Sequence, residues 1–195
     1  MNAIVCARLL LLVPLALTSL TPAHATDVER QALVEHFERI APVFLHPRCS
    51  NCHAAGDAPL QTDAGTPHAM KVKRGVAGVG MPGANCVTCH ASTSISQAKG
   101  LPPAVKDWRM PTAKRKMQFD GLTALELCQR LKDPEITGRK TVRESMIHVL
   151  HDELVSWAFN PGPDRSAPPI GKKAFFNHLG RWVRDGAPCA DDPVR

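Results

Sequence analysis

The chain has no tyrosine, and its aromatic side chains amount to only 5% of 195 residues. Large aromatics carry much of the buried area of an ordinary core, so apolar volume here is expected from another source. No stretch alternates apolar and polar residues for the length of a strand, which argues against a fold built on sheets. Basic residues are not interleaved with aromatics, so the formal net charge of +6 is no signature of nucleic-acid binding. It reads as a solvated surface suited to an acidic partner. The only strongly apolar run, from Leu9 to Val13, is broken by Pro14 and is too short to span a bilayer.

Cysteine is what the chain does have, seven in all. Four of them form a five-residue signature that occurs twice, Cys49-Ser50-Asn51-Cys52-His53 and Cys86-Val87-Thr88-Cys89-His90. Cys-x-x-Cys-His is the attachment sequence of a c-type haem. Its two thiols add across the porphyrin vinyl groups, and the histidine becomes the proximal ligand of the iron. One helical turn presents both sulfurs to the same edge of the macrocycle. A structural zinc site also uses Cys-x-x-Cys pairs, but it has no need of a histidine directly after each one. A thioredoxin-like motif would sit in a strand-helix pattern, of which the chain has none. The expected cofactors are therefore two haem c groups, held by Cys49, Cys52, Cys86 and Cys89, with His53 and His90 as proximal ligands. The porphyrins would supply the apolar volume that the missing aromatics do not.

Residues 1–25 read as a cleaved signal peptide: Arg8 supplies the positive region, an apolar run follows, and Ala23-His24-Ala25 is a small-x-small cleavage site. Export to the periplasm is expected, with residues 26–195 forming one dihaem domain. Cys6 leaves with the signal, so only Cys128 and Cys189 remain. In an oxidising compartment they are expected to form a disulfide, worth about 3–4 kcal/mol through chain entropy. In the competing reading one stays a thiol and ligates iron. Losing Arg8 lowers the net charge to about +5, and the propionates of two haems would bring it to about +1.

Helical spacing places a first helix at Asp27–Phe44, kinked or shortened by Pro42. Residues 54–84 are rich in glycine and proline and read as a loop that wraps a porphyrin, where glycine lets backbone approach the ring. Three helices follow, at 121–133, 141–159 and 171–185. The first two open on Thr123-x-x-Glu126 and Thr141-x-x-Glu144, each a capping box, and Gly186 stops the third. Leu122, Leu125, Cys128 and Leu131 are expected on the buried face of the first. Ile147, Leu150, Leu154 and Trp157 are expected on that of the second. The fold class is all-α, cytochrome c-like, with long haem-wrapping loops. Thirty-three residues separate Cys52 from Cys86, too few for a complete single-haem domain, so both haems are expected to share one fold.

The sixth ligand tunes each iron: methionine raises the potential, histidine lowers it, and an open position permits catalysis. His68 lies in the coil between the two motifs, where an axial approach is easy, with Met70 as its local substitute. His148 and His151 are a turn apart on the second of the three helices, and Met117 is a further option. His36, between Glu35 and Glu38, reads as a surface residue. His46 is too close to Cys49 along the chain to reach the far face of the same haem.

The chain resembles a family of small exported dihaem cytochromes labelled as subunits associated with isoquinoline 1-oxidoreductase. The stretches that carry the resemblance are His46-Pro47-Arg48 running into the first motif, Gly56-Asp57-Ala58-Pro59-Leu60 and Pro67-His68-Ala69-Met70. Leu127-Cys128-Gln129-Arg130-Leu131-Lys132-Asp133-Pro134 and Leu154-Val155-Ser156-Trp157 complete the set. The resemblance implies that electrons arrive from a periplasmic molybdenum-containing dehydrogenase and leave for the respiratory chain. It also implies distal roles for His68 and His148 and a Cys128–Cys189 pair. The alternative is a dihaem enzyme of the peroxidase or thiosulfate-oxidising type, with one haem open or ligated by cysteine.

Overall fold

The computed structural model describes residues 27–90, 102, 104–106, 108–139 and 141–193; the expected signal peptide lies outside them. The described chain is mostly helical, with seven helices and four two-residue strands. The helix α1, Asp27–Phe44, opens on the acidic residues Asp27 and Glu29, which suit the positive end of a helix dipole. It buries Val34, Phe37, Ile40, Ala41 and Phe44 along one stripe, the helical spacing of the sequence. Pro42 lies inside it, and the helix still runs to Phe44.

That stripe packs on α7, Lys172–Arg184, and on α3, Ala124–Lys132. Phe175, Leu179 and Trp182 of α7 and Leu127, Cys128 and Leu131 of α3 join α1 in one core. Phe37 lies against Trp182 with centroids 4.7 Å apart. Phe44 meets both Phe119 and Phe175 edge-on at 5.4 Å. Cys128 and Cys189 form a disulfide across 61 residues that ties the C-terminal segment to α3. The reading in which one of them remains a thiol is thereby overturned. Thr123 and Glu126 close the capping box of α3, and Gly186, at φ +94°, ends α7 in the left-handed conformation glycine tolerates.

The structure differs from the sequence expectation in three places. Residues 141–159 form two helices, α5 (Val142–His151) and α6 (Glu153–Ala158), because Asp152 is extended (φ −78°, ψ 127°) and caps α6 by accepting from the Leu154 amide. The side of α5 that meets the core carries Val142, Met146 and Val149. Ile147 and Leu150 are exposed. Both sets recur at helical spacing, and the break at Asp152 removes the continuation that would have favoured the second. On α3, Leu125 is likewise exposed while Leu127 is fully buried. Finally, the 54–84 loop contains two tiny hairpins, β1 (Leu60–Gln61) with β2 (Thr66–Pro67) and β3 (Gly80–Met81) with β4 (Ala84–Asn85).

Two short helices complete the set, α2 (Pro47–Ser50) and α4 (Pro134–Thr137). Among the described residues no helix is long and apolar enough to cross a membrane.

Candidate functional site

The two Cys-x-x-Cys-His segments adopt the same turn. In the first, Pro47 starts α2, and the chain continues helically until the His53 amide donates to the Cys49 carbonyl at 3.1 Å. In the second, a 3₁₀ turn over Cys86–Thr88 ends with the His90 amide donating to the Cys86 carbonyl at 3.0 Å. Asn85 caps that turn by accepting from the Val87 amide. Each turn carries two sulfurs and one imidazole on about one helical revolution, the arrangement a covalent haem requires.

Both histidines lie flat on an aromatic ring. His53 stacks on Phe119 with centroids 4.0 Å apart and planes 13° apart. His90 stacks on Trp108 at 4.2 Å and 12°. His53 Nδ1 lies 2.7 Å from the Met117 carbonyl oxygen; a carbonyl only accepts, so Nδ1 carries the proton and Nε2 keeps its lone pair. Such a bond to the far nitrogen fixes tautomer and ring direction in a metal-ligating histidine. Burial holds the His53 pKa down to about 4 despite that bond. The ring therefore stays neutral, as a ligand must.

Burial pushes the thiols of Cys49 and Cys52 up to about 12 and about 11, with Cys52 reinforcing the shift at Cys49. Both residues keep some accessible surface, but their sulfurs lie deep among protein atoms. An uncharged thioether suits that setting better than a pair of thiolates. The second motif is more open: Cys86 is buried and Cys89 exposed. Cys86 is near enough to Cys52 to raise the pKa of that thiol, so the two motifs are neighbours in space.

Arg74 joins them. Its side chain is fully buried and donates to the carbonyls of Gly56 (3.1 Å), Ala54 (3.4 Å) and Pro111 (2.6 Å). Its own amide donates to the Asp57 carbonyl at 2.6 Å, and its carbonyl receives the Gly80 amide at 3.0 Å. Met110 and Ala113 in turn donate to Gly78 and Val76, which stitches residues 108–116 to the loop. Gly78 (φ +80°) is indispensable here, since a Cβ at that position would lie 2.1 Å from the Met110 carbonyl oxygen.

The expected distal candidates sort by place. His68 stands with its ring centroid 6.0 Å from that of His90, planes at 57°. Its Nδ1 bonds the Ala69 carbonyl at 2.8 Å, which again leaves Nε2 with the lone pair. Met70 beside it is exposed. His148 and His151 line an open cleft of about 400 Å³ with Arg139, Glu144, Ile147 and Asp152. His148 Nδ1 lies 3.4 Å from an Asp152 carboxylate oxygen, and the His148 ring is close enough to His53 to lower the latter's pKa. Met117 meets His53 through its carbonyl, on the side of the ring away from Nε2.

The remaining histidines among the described residues are engaged elsewhere. His46 accepts the Arg48 amide through Nδ1, which makes Nε2 the donor to Ser166 Oγ at 3.2 Å. His36 is half-buried, not free on the surface, with Nδ1 2.8 Å from Nδ1 of His178 on α7.

Further features fit a large apolar group with carboxylate arms. The Nε atoms of Arg48 and Arg74 and the indole nitrogen of Trp157 are buried donors without a protein partner, an arrangement that costs free energy unless an acceptor is supplied. Large apolar residues are left exposed in the loop before the second motif, at Met70, Val76, Val79 and Met81, and within it at Val87. Phe119, Trp108 and Arg74 were not singled out as site residues from the sequence. Phe119 had one available signal, its place two residues after Met117 at the end of the long connection. No family model matches the chain, and no similar curated protein or solved structure was found.

Proposed function

We propose that the protein is a periplasmic dihaem cytochrome c that carries single electrons, accepting them from a molybdenum-type dehydrogenase and delivering them to the respiratory chain. The observation that carries this reading is the pair of turns with the same closing bond, each joining a histidine amide to the carbonyl of the first cysteine of its motif. Haem, when bound, supplies the one-electron chemistry. The protein's part is to hold it by Cys49 and Cys52 and by Cys86 and Cys89, and to aim His53 and His90 at the two irons.

His68 would join His90 in holding the second haem, and His148 would join His53 in holding the first. Two imidazoles on one metal need centroids about 6 Å apart, two bonds of about 2 Å plus half a ring on each side, and the His68–His90 separation suits that. Met117 supports His53 through its backbone carbonyl, a positioning role that favours the histidines as the distal ligands. Haems held in this way, each by two histidines, would have low potentials and would leave no open position for peroxide. The cysteine-ligated form of the enzyme alternative has no thiol to use, since Cys128 and Cys189 are bonded to each other.

Optical and spin-resonance spectra of the purified protein test the reading. Two low-spin haems per chain with paired histidine signatures, inert to peroxide, are expected. A high-spin haem that turns over peroxide would replace the carrier with the enzyme.

A further inference from the structure

Charge is distributed unevenly along the chain. Between Asp63 and Asp120 there are nine lysines and arginines and a single acidic residue, Asp107, a net of +8. The other residues hold fifteen basic and seventeen acidic groups, a net of −2. The positive segment is the one that contains the second haem motif. Its two described parts are held together by the Met110–Gly78 and Ala113–Val76 bonds and by Arg74 on Pro111, so their charges belong to one region.

Lys71, Lys73, Lys106, Arg109, Lys114 and Arg115 are all exposed, and none of them makes an ion pair among the described residues. Lys116 alone reaches a carboxylate, that of Asp57 at 2.8 Å. The same region exposes Met70, Val76, Val79, Met81 and Val87. Exposed apolar side chains on a segment with an excess of one charge are the composition of a transient, electrostatically steered interface. Even with every propionate of two haems beside it, about +4 would remain.

We infer that the face around Cys89 and His90 is the docking surface for an acidic redox protein, so that electrons pass through the second haem and not the first. This rests on the dihaem reading above. The first motif is deeper, and beside it Arg48 pairs with Asp63, which accepts from the Ser166 amide.

The test is stopped-flow oxidation of the reduced holoprotein by hexacyanoferrate(III), an anion, and by tris(phenanthroline)cobalt(III), a cation, across ionic strength. The anionic oxidant is expected to react faster at low salt and to slow steeply as salt rises. The triple variant Lys71→Glu, Lys73→Glu, Lys114→Glu is expected to react about tenfold slower with it and faster with the cation. Lys172→Glu with Lys173→Glu on α7 serves as the control and leaves both rates unchanged. Poly-glutamate is expected to inhibit at low salt. Salt-independent rates, or equal effects of the two sets of reversals, overturn the docking surface while leaving the cytochrome standing. Tighter binding to phosphatidylglycerol vesicles than to poly-glutamate also overturns it, in favour of a membrane surface. A protein with no haem absorbance to follow removes the underlying reading instead.

Discussion

His68 and His90 stand 6.0 Å apart, centroid to centroid, and the Ala69 carbonyl holds the proton of His68 on Nδ1. Nε2 is thus left with its lone pair, as the proposed ligand role requires, on a residue 22 positions away from His90. His68→Ala is expected to turn one haem high-spin and leave the other low-spin, and His68→Met to raise the potential of that haem. Spin resonance and a redox titration read both. A spectrum identical to wild type would remove His68 from the iron.

Arg74 is a buried cation whose guanidinium serves three backbone carbonyls. Arg74→Met keeps most of the volume but abandons those acceptors, each costing about 1–3 kcal/mol when left unmet in the interior. The expected loss is at least about 2 kcal/mol in denaturant unfolding, along with a disturbed spectrum of the second haem. An unchanged midpoint would show that water replaces the side chain at little cost.

The helices with one dominant apolar stripe were legible in the sequence. For α1 the expected and observed bounds coincide, and Thr123 with Glu126 marked the start of α3 before any coordinates. The 141–159 segment was not legible in this way because two apolar stripes share it, and a single residue, Asp152, decides between them by capping α6. The two Cys-x-x-Cys-His segments could be found from residue types alone, since their spacing is fixed in the sequence. Their supports could not. Phe119 under His53 and Trp108 under His90 are joined to the motifs by long-range contacts with no fixed spacing. Arg74 looks like one more surface charge until the loop folds around it.

The Cys128–Cys189 bridge closes a separation of 61 residues, for which chain entropy gives about 4 kcal/mol. Replacing both cysteines by alanine is expected to lower unfolding stability by roughly that amount, with both haems still attached. A smaller loss, about 1 kcal/mol or less, would mean that the core of α1, α3 and α7 fixes the C-terminal segment without the bridge.

His36 and His178 clasp α1 to α7 through their Nδ1 atoms. Burial first, then His178 and Arg181, lower the His36 pKa, while Glu35 opposes them weakly. A histidine whose folded pKa lies below its unfolded value of 6.5 leaves the unfolded chain with more protons, so stability rises with pH in that window. The contribution is complete above about pH 6.5 and is lost as pH falls towards the lowered folded value. His36→Gln is expected to make the fall of the melting temperature between pH 7 and pH 5 shallower, leaving the part that comes from His46, whose pKa is also lowered by burial. An equally steep profile in the variant would assign the dependence to other groups.

Intact mass spectrometry of the exported, processed protein tests the central claim most directly. The account predicts the weight of the chain plus two covalently bound haems, falling by one haem when Cys86 and Cys89 are both changed to alanine. The bare chain weight, or that weight plus zinc, would contradict it.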